Sequence, residues 1–127
     1  MFELTIKEKV YGFNFGMGFL REINKKIATP VDGVKDVKKN IGLRYFLAGI
    51  MDGDPEALVE ILDTANKGNN PRITRELLDS YIDDENTDLD ALFGEVLDFL
   101  ASANATKKTV ADLQKAIEDQ KNQNEQN

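Results

Sequence analysis

The sequence predicts a small, mainly α-helical domain of about five helices, with a short N-terminal β-hairpin and a disordered C-terminal tail. Apolar residues recur at helical spacing from residue 17 onward, whereas near the N-terminus they alternate with polar residues. Residues 118–127 contain no apolar side chain, which predicts a polar tail without a packed core. The length of 127 residues suits a single domain, which we place at residues 1–117.

The N-terminal hairpin is predicted over residues 2–15. Phe2, Leu4 and Ile6 alternate with polar residues, which is the period of a half-buried strand. A second alternating run follows the charged connection 7–9 and consists of Tyr11, Phe13 and Phe15. Because an isolated hairpin is barely stable, we expect it to pack on the helices.

Helical spacing begins at Met17. The first stretch contains Met17, Leu20, Ile23 and Ile27, and the second contains Val37, Ile41, Phe46 and Ile50. A loop at residues 29–33 separates the two stretches, because Pro30 disfavours helix at the preceding residue and Gly33 suits a turn.

Two later helices have clear start signals. Asp54 is a predicted N-cap, and Pro55 takes the first helical position, where a missing N–H costs no hydrogen bond. Asp88 is the predicted N-cap of the most strongly patterned helix, and a shorter helix opening near Thr74 lies between the two. The apolar stripe after Asp88 comprises Leu89, Leu92, Phe93, Val96, Leu97, Leu100 and Ala103.

The composition argues against catalysis. The absence of cysteine and histidine removes disulfides, thiol chemistry, the commonest general base and the commonest metal ligand. No other residues offer a nucleophile with its base, so we expect neither an enzyme nor a bound cofactor. The N-terminal segment lacks the apolar region of a signal peptide, and no apolar run is long enough to span a bilayer. We therefore expect a cytoplasmic protein without a membrane partner.

Charge is distributed unevenly along the chain. The net charge of −7 argues against a nucleic-acid partner. Residues 1–51 contain nine Lys or Arg and five Asp or Glu, whereas residues 52–104 contain three and fourteen. Regions of opposite sign on one molecule favour head-to-tail contacts between copies, which close into a ring or continue as a spiral.

A calcium-binding loop is an alternative interpretation of residues 84–95. Asp84, Asn86, Asp88 and Glu95 match positions one, three, five and twelve of an EF-hand loop. The sixth position, where the sharp turn needs glycine, holds a leucine that belongs to the predicted helix. An acidic linker followed by an N-cap explains the pattern more simply, so we expect no metal here.

One segment resembles a known family. Residues 11–26 read Tyr-Gly-Phe-Asn-Phe-Gly-Met-Gly-Phe-Leu-Arg-Glu-Ile-Asn-Lys-Lys. The likeness is carried by Phe13, Phe15, Gly16, Met17, Gly18, Phe19 and Leu20. This aromatic–glycine stretch, between a strand pair and a helix, is similar to the start of tail assembly chaperones of long-tailed, siphovirus-type bacteriophages of Gram-positive hosts. The later layout of short helices, an acidic middle and a polar end also fits that family.

The resemblance implies a non-catalytic protein that binds the phage tape measure protein. Such chaperones keep this long helical client soluble until tail-tube subunits polymerise around it, so the tail-tube protein is a further candidate partner. They act in the cytoplasm of the host cell and are absent from the mature virion. The resemblance implies no catalytic residue.

Candidate partner-binding residues come from two apolar segments. They are Phe13, Phe15, Met17, Phe19 and Leu20 in the aromatic–glycine segment, and Leu92, Phe93, Val96, Phe99 and Leu100 in the helix after Asp88. Apolar stripes form cores as well as interfaces, so the sequence alone leaves these two roles unseparated. The alternative function is a small phage or bacterial adaptor or regulatory protein that binds one defined protein partner.

Overall fold

The mainly α-helical fold with an N-terminal hairpin, predicted from the sequence, is confirmed. A computed structural model describes residues 1–126 of the chain. Its elements are β1 (Phe2–Ile6), β2 (Lys9–Phe13), α1 (Met17–Lys25), β3 (Ala28–Pro30), β4 (Lys38–Asn40), α2 (Gly42–Met51), α3 (Pro55–Asn66), α4 (Arg75–Asp83), α5 (Leu89–Ser102) and α6 (Lys107–Gln126). Within residues 1–126, no helix combines the length and the hydrophobicity that crossing a membrane requires.

The N-terminal hairpin joins β1 to β2 through a two-residue loop. Lys7 and Glu8 both have positive φ, 51° and 70°, which is the loop geometry that matches the natural twist of paired strands. The two strands pair antiparallel, with Phe2 opposite Phe13. Alternation directs one face of the hairpin into the core, where the buried residues are Phe2, Leu4, Ile6, Tyr11 and Phe13.

Helix α3 lies at the centre of the core. Its residues 61–66 are all buried, and β2, α1, α2 and α4 pack against it. Gly42 lets α2 approach α1 closely, because a Cβ atom there would collide with the carbonyl oxygen of Ile23. Asn24 strengthens the same contact, since its side-chain oxygen accepts a 2.9 Å hydrogen bond from the Leu43 N–H.

The predicted helix starts at Asp54 and Asp88 are confirmed. Asp54 Oδ1 accepts a hydrogen bond from Glu56 N, and Asp88 Oδ1 accepts one from Ala91 N, each at 3.0 Å. The Thr74 hydroxyl caps α4 in the same way. Each cap satisfies a backbone donor that the first turn of a helix leaves without an intrahelical partner.

The predicted stripe of α5 faces the core. Its innermost residues are buried, and the others are partly buried against the core. The buried set is Leu92, Val96 and Leu100, and the partly buried set is Leu89, Phe93, Leu97 and Ala103.

The structure corrects the prediction between residues 26 and 41. The first helix ends at Lys25, before Ile27, and the second begins only at Gly42. Val37 lies in the loop between β3 and β4, so its assignment to a helix was wrong. Its spacing of four residues from Ile41 imitates a helical stripe, but Val37 is 46% exposed and faces no core. Strands β3 and β4 form a second, unpredicted antiparallel pair.

The C-terminal segment leaves the core, as the polar tail predicted from the sequence does. Helix α6 continues through residues 118–126, where the sequence predicts a disordered tail, and Asn127 lies outside the described residues. Glutamine, glutamate and lysine have good intrinsic helix propensity, so this extension does not need an apolar stripe. Residues 114–124 are all exposed, and the last turns of α6 therefore extend away from the core.

Candidate partner-binding site

Aromatic side chains from separate parts of the chain meet at the open end of the hairpin. Phe2 contacts Phe13 and Phe99, with ring centroids 5.7 Å and 5.1 Å apart, respectively. Phe15 lies edge-on to Phe19 at 5.2 Å and also lies 6.5 Å from Phe99. The edge-on contacts, Phe2 with Phe99 and Phe15 with Phe19, are of a kind that aromatic rings prefer. The hairpin supplies Phe2 and Phe13, the connection to α1 supplies Phe15, α1 supplies Phe19, and α5 supplies Phe99.

A groove of about 460 Å³ lies beside this cluster, between the end of the hairpin and the C-terminal turn of α5. We call it the aromatic groove; Phe2, Phe15, Met17 and Phe99 are among its lining residues. Met1, Met17 and Phe99 are 74%, 51% and 39% exposed, so this groove holds three of the eight large apolar side chains exposed within the described residues. Exposed apolar side chains gathered in one place are typical of an interaction site.

The ten candidate residues fall into three groups by burial. Met17 and Phe99 are exposed, and Leu20 and Phe93 are partly buried. The buried candidates are Phe13, Phe15, Phe19, Leu92, Val96 and Leu100. The structure brings the two candidate segments together at one place, where the rings of Phe15 and Phe99 meet. Met17 and Phe99 offer the most area to a partner, and partner binding by any of the ten stays a prediction.

A buried asparagine holds the hairpin against α3. Asn66 is fully buried; its Nδ2 donates a 2.9 Å hydrogen bond to the Gly12 carbonyl oxygen, and its Oδ1 accepts a 2.7 Å bond from Ile73 N. The Asn14 N–H donates a further 2.9 Å bond to the Ala65 carbonyl oxygen. These bonds satisfy polar groups that the core removes from water. They also fix the hairpin on α3 and thereby position the aromatic groove.

Three residues of this site were not found by sequence reasoning. Met1 and Phe2 line the groove, but the alternating pattern identified Phe2 only as a strand residue. The strand register sets Phe2 opposite Phe13, which was already a candidate, so pairing the two predicted strands would have identified Phe2 as well. Asn66 begins the polar run Asn-Lys-Gly-Asn-Asn, where nothing indicates burial because asparagine is mostly exposed in proteins.

The chemistry of the aromatic groove suits binding. Its polar side chains are Asn14, Ser102 and Asn104, and none of the described side chains that line it is ionisable. Such a surface accepts apolar side chains from a partner, while its amides and hydroxyl orient the partner through hydrogen bonds.

The segment that resembled a calcium loop forms an acidic turn and a helix cap. Asp84 Oδ1 accepts a 2.9 Å hydrogen bond from Asn86 N, and Asp88 caps α5. Glu95 lies on an exposed face of the same helix. Across residues 1–126, no three histidine, aspartate or glutamate side chains are grouped closely enough to hold a metal ion.

Comparison with known proteins assigns the family. A family model described as a phage tail assembly chaperone protein, TAC, matches residues 3–115. No curated protein and no solved structure matches the chain. The matched range covers nearly the whole domain predicted from the sequence and almost all of the residues that line the aromatic groove. The chain therefore belongs to the phage tail assembly chaperone family.

Proposed function

We propose that this chain binds the tape measure protein of its phage and keeps it soluble during tail assembly, without catalysing a reaction. Family membership supports a role in tail assembly. The observation that carries the proposal is the aromatic groove, where Met17 and Phe99 stay exposed beside a packed cluster of phenylalanine rings.

The physical basis of the proposal is the masking of apolar surface. A long helical client with apolar segments aggregates when those segments are uncovered. An amphipathic helix that lays its apolar face in a groove is a common mode of peptide recognition. A partner that covers this face shifts the equilibrium away from aggregation by mass action. Weak contacts repeated along one client add through avidity, so no single groove has to bind tightly.

The proposal includes the setting in which the chain acts. It works in the cytoplasm of the infected host cell, leaves the client as the tail-tube protein polymerises, and is absent from the finished virion. Several copies associate head to tail on one client. The contrast between the basic first part of the sequence and its acidic middle supports this association.

Co-expression with the tape measure protein of the same phage tests the function directly. The client should be insoluble alone, soluble with this chain, and recovered in a complex with it. If the client is equally soluble with and without the chain, or no complex is recovered at low salt, the chaperone function is excluded. The adaptor function then takes its place.

A matched pair of variants tests the groove itself. M17S/F99S removes two exposed apolar side chains from the groove, and V10S/I117S removes two elsewhere. The exposed fractions are 51% and 39% in the first pair and 49% and 39% in the second. M17S/F99S should lose client solubilisation while V10S/I117S retains it, with thermal unfolding confirming that both variants are folded. Equal solubilisation by the two variants would place the client contact elsewhere.

A further inference from the structure

The second strand pair forms a ribbon, residues 28–40, that carries exposed lysine and valine side chains. Residues 32–40 are all exposed, and Val34 and Val37 are 50% and 46% exposed. Lys35, Lys38 and Lys39 form no ion pair within residues 1–126. Asp32 and Asp36 are also exposed, so three lysines against two aspartates leave the ribbon a net charge of +1. A two-stranded ribbon with no buried face is barely stable alone, and its exposed apolar side chains indicate a surface for a partner.

A second groove, of about 720 Å³, lies between α2, α3 and α4, and we call it the acidic groove. Tyr45 and Phe46 line it with rings that meet edge-on at 5.2 Å, and Tyr45 is 57% exposed. Its carboxylates belong to Asp52, Asp54, Glu56, Glu60 and Asp79. Among the described lining residues, Arg75 is the one cation.

These five carboxylates form the rim of the acidic groove, and Arg75 neutralises only part of their negative charge. Arg75 donates two hydrogen bonds to the Glu60 carboxylate, at 2.7 Å and 3.0 Å. These bonds, reinforced by charge attraction, hold the pKa of Glu60 below its usual range despite partial burial. Asp52, Glu56 and Asp79 form no ion pair within the described part of the chain. The groove therefore offers negative charge beside an exposed aromatic ring.

The ribbon does not fill the acidic groove of its own molecule. Ile27 lines the groove. The 2.9 Å hydrogen bond from Ile41 N to the Ile27 carbonyl oxygen fixes the root of the ribbon, the end at which it joins α1 and α2, beside the groove. Each strand then extends three residues, which carries the tip about 10 Å from the root at about 3.3 Å per residue. Tip residues 31–37 are not among those that line the groove. A ribbon that occupies this groove must therefore come from a second copy.

We propose that the ribbon of one copy docks in the acidic groove of the next copy. The lysines of the ribbon face the rim carboxylates, and Val34 and Val37 face Tyr45 and Phe46. Two different surfaces meet in this contact, so it is heterologous and repeats along a row of copies. The inference rests on the head-to-tail association proposed above, and it does not depend on the identity of the client.

Sedimentation velocity of the full chain tests the docking. Measurements at about 0.01 M and about 1 M salt compare Debye lengths of about 30 Å and about 3 Å. The unmodified chain should form oligomers at low salt and dissociate at high salt. K38E/K39E reverses two charges of the ribbon, and D52K/E56K reverses two charges of the rim. Each reversal should weaken association about tenfold or more, as expected for inverting two exposed charge pairs.

Rescue distinguishes docking from a general effect of net charge. An equal mixture of the two reversed chains should associate again, and so should one chain that carries both reversals, because the substituted positions of the ribbon and the rim are again opposite in sign. The matched controls K107E/K108E and D90K/E95K make the same changes in charge at exposed positions of α6 and α5. Both controls should associate as the unmodified chain does.

Three outcomes overturn the proposal. They are a monomer at low salt and high concentration, oligomers that the reversals weaken no more than the controls, and a mixture that fails to recover association. Co-expression with the client reports separately on the chaperone function. Reversed chains that still solubilise the client would leave that function standing, whatever happens to the docking.

Discussion

The two strand pairs of this chain share a topology and differ in what stabilises them. The N-terminal hairpin directs five apolar side chains into the core, and Asn66 ties it to α3. The ribbon of residues 28–40 contains no buried residue. Because stability in a sheet comes mainly from packing its apolar face, the hairpin belongs to the core and the ribbon remains available at the surface. The same local structure therefore stabilises the fold in one place and lies exposed in the other, where we propose an interface.

The largest difference between the two pairs should appear on truncation of an apolar side chain. Phe13→Ala empties a fully buried site in the hairpin and should cost about 3–5 kcal/mol of unfolding free energy, as for other buried phenylalanines. Val37→Ala in the ribbon should stay within about 0.5 kcal/mol of the unmodified chain, as an exposed substitution does. Urea denaturation measures both. Comparable losses would show that the ribbon packs on the core after all.

Removing a hydrogen-bonding side chain should also destabilise the chain more at the hairpin than at the ribbon, but by a smaller free energy of unfolding. Asn66→Ala leaves the Gly12 carbonyl and the Ile73 N–H without their side-chain partner inside the core, which should cost about 1–3 kcal/mol. Asn40→Ala, on the exposed strand of the ribbon, is the control and should leave the thermal midpoint unchanged. An unchanged thermal midpoint for Asn66→Ala would mean that water takes over the hydrogen bonds of the lost amide.

The sequence predicts the hairpin but not the ribbon, for a physical reason. Alternating apolar residues mark a strand only where one face is buried, as in β1 and β2. Strand β4 reads Lys-Lys-Asn, and β3 ends at Pro30, so neither carries that pattern. The helices with N-caps at Asp54 and Asp88 were predictable because the cap and the stripe are both local signals.

The candidate site was predictable in composition and not in geometry. The aromatic–glycine segment and α5 were identified from their apolar patterns. Which of their residues remain exposed depends on how the hairpin packs against α5, and local spacing does not encode that contact. Met17 and Phe99 are therefore separated from their buried neighbours only by the tertiary structure.

Shortening the ribbon should change association more than stability. Replacing residues 32–36 with Asn-Gly would join Val31 to Val37 through a tight turn of the type that two-residue hairpins favour. The free energy of unfolding should change by less than about 1 kcal/mol, because a shorter loop alters the closure entropy only slightly. Self-association at low salt should be lost, since Val34 and Lys35 are removed. A loss of several kcal/mol in urea denaturation would contradict the description of the ribbon as a surface element.

The smallest expected effect on stability comes from the ion pairs at the root of the ribbon. Lys26, just before β3, lies 3.4 Å from the Glu60 carboxylate, which Arg75 also holds at 2.7 Å. The hydrogen bond from Arg75 is the main cause of the lowered pKa of Glu60, whose ordinary value is 4.5. A lowered pKa in the folded state means that the ionised carboxylate stabilises the fold. This stabilisation is complete above about pH 4.5 and is lost as the pH falls through the lower, folded value.

Glu60→Gln should therefore unfold more easily than the unmodified chain at neutral pH, and the difference should shrink as the pH falls below about 4.5. Thermal unfolding across this range measures the difference. In an Arg75→Gln background, the same substitution should have a smaller effect with a weaker dependence on pH, because the principal partner of Glu60 is absent. If the effect of Glu60→Gln depends on pH in the same way in that background, Lys26 and not Arg75 is the partner through which Glu60 stabilises the fold. The root of the ribbon would then be held by the lysine beside it rather than by α4.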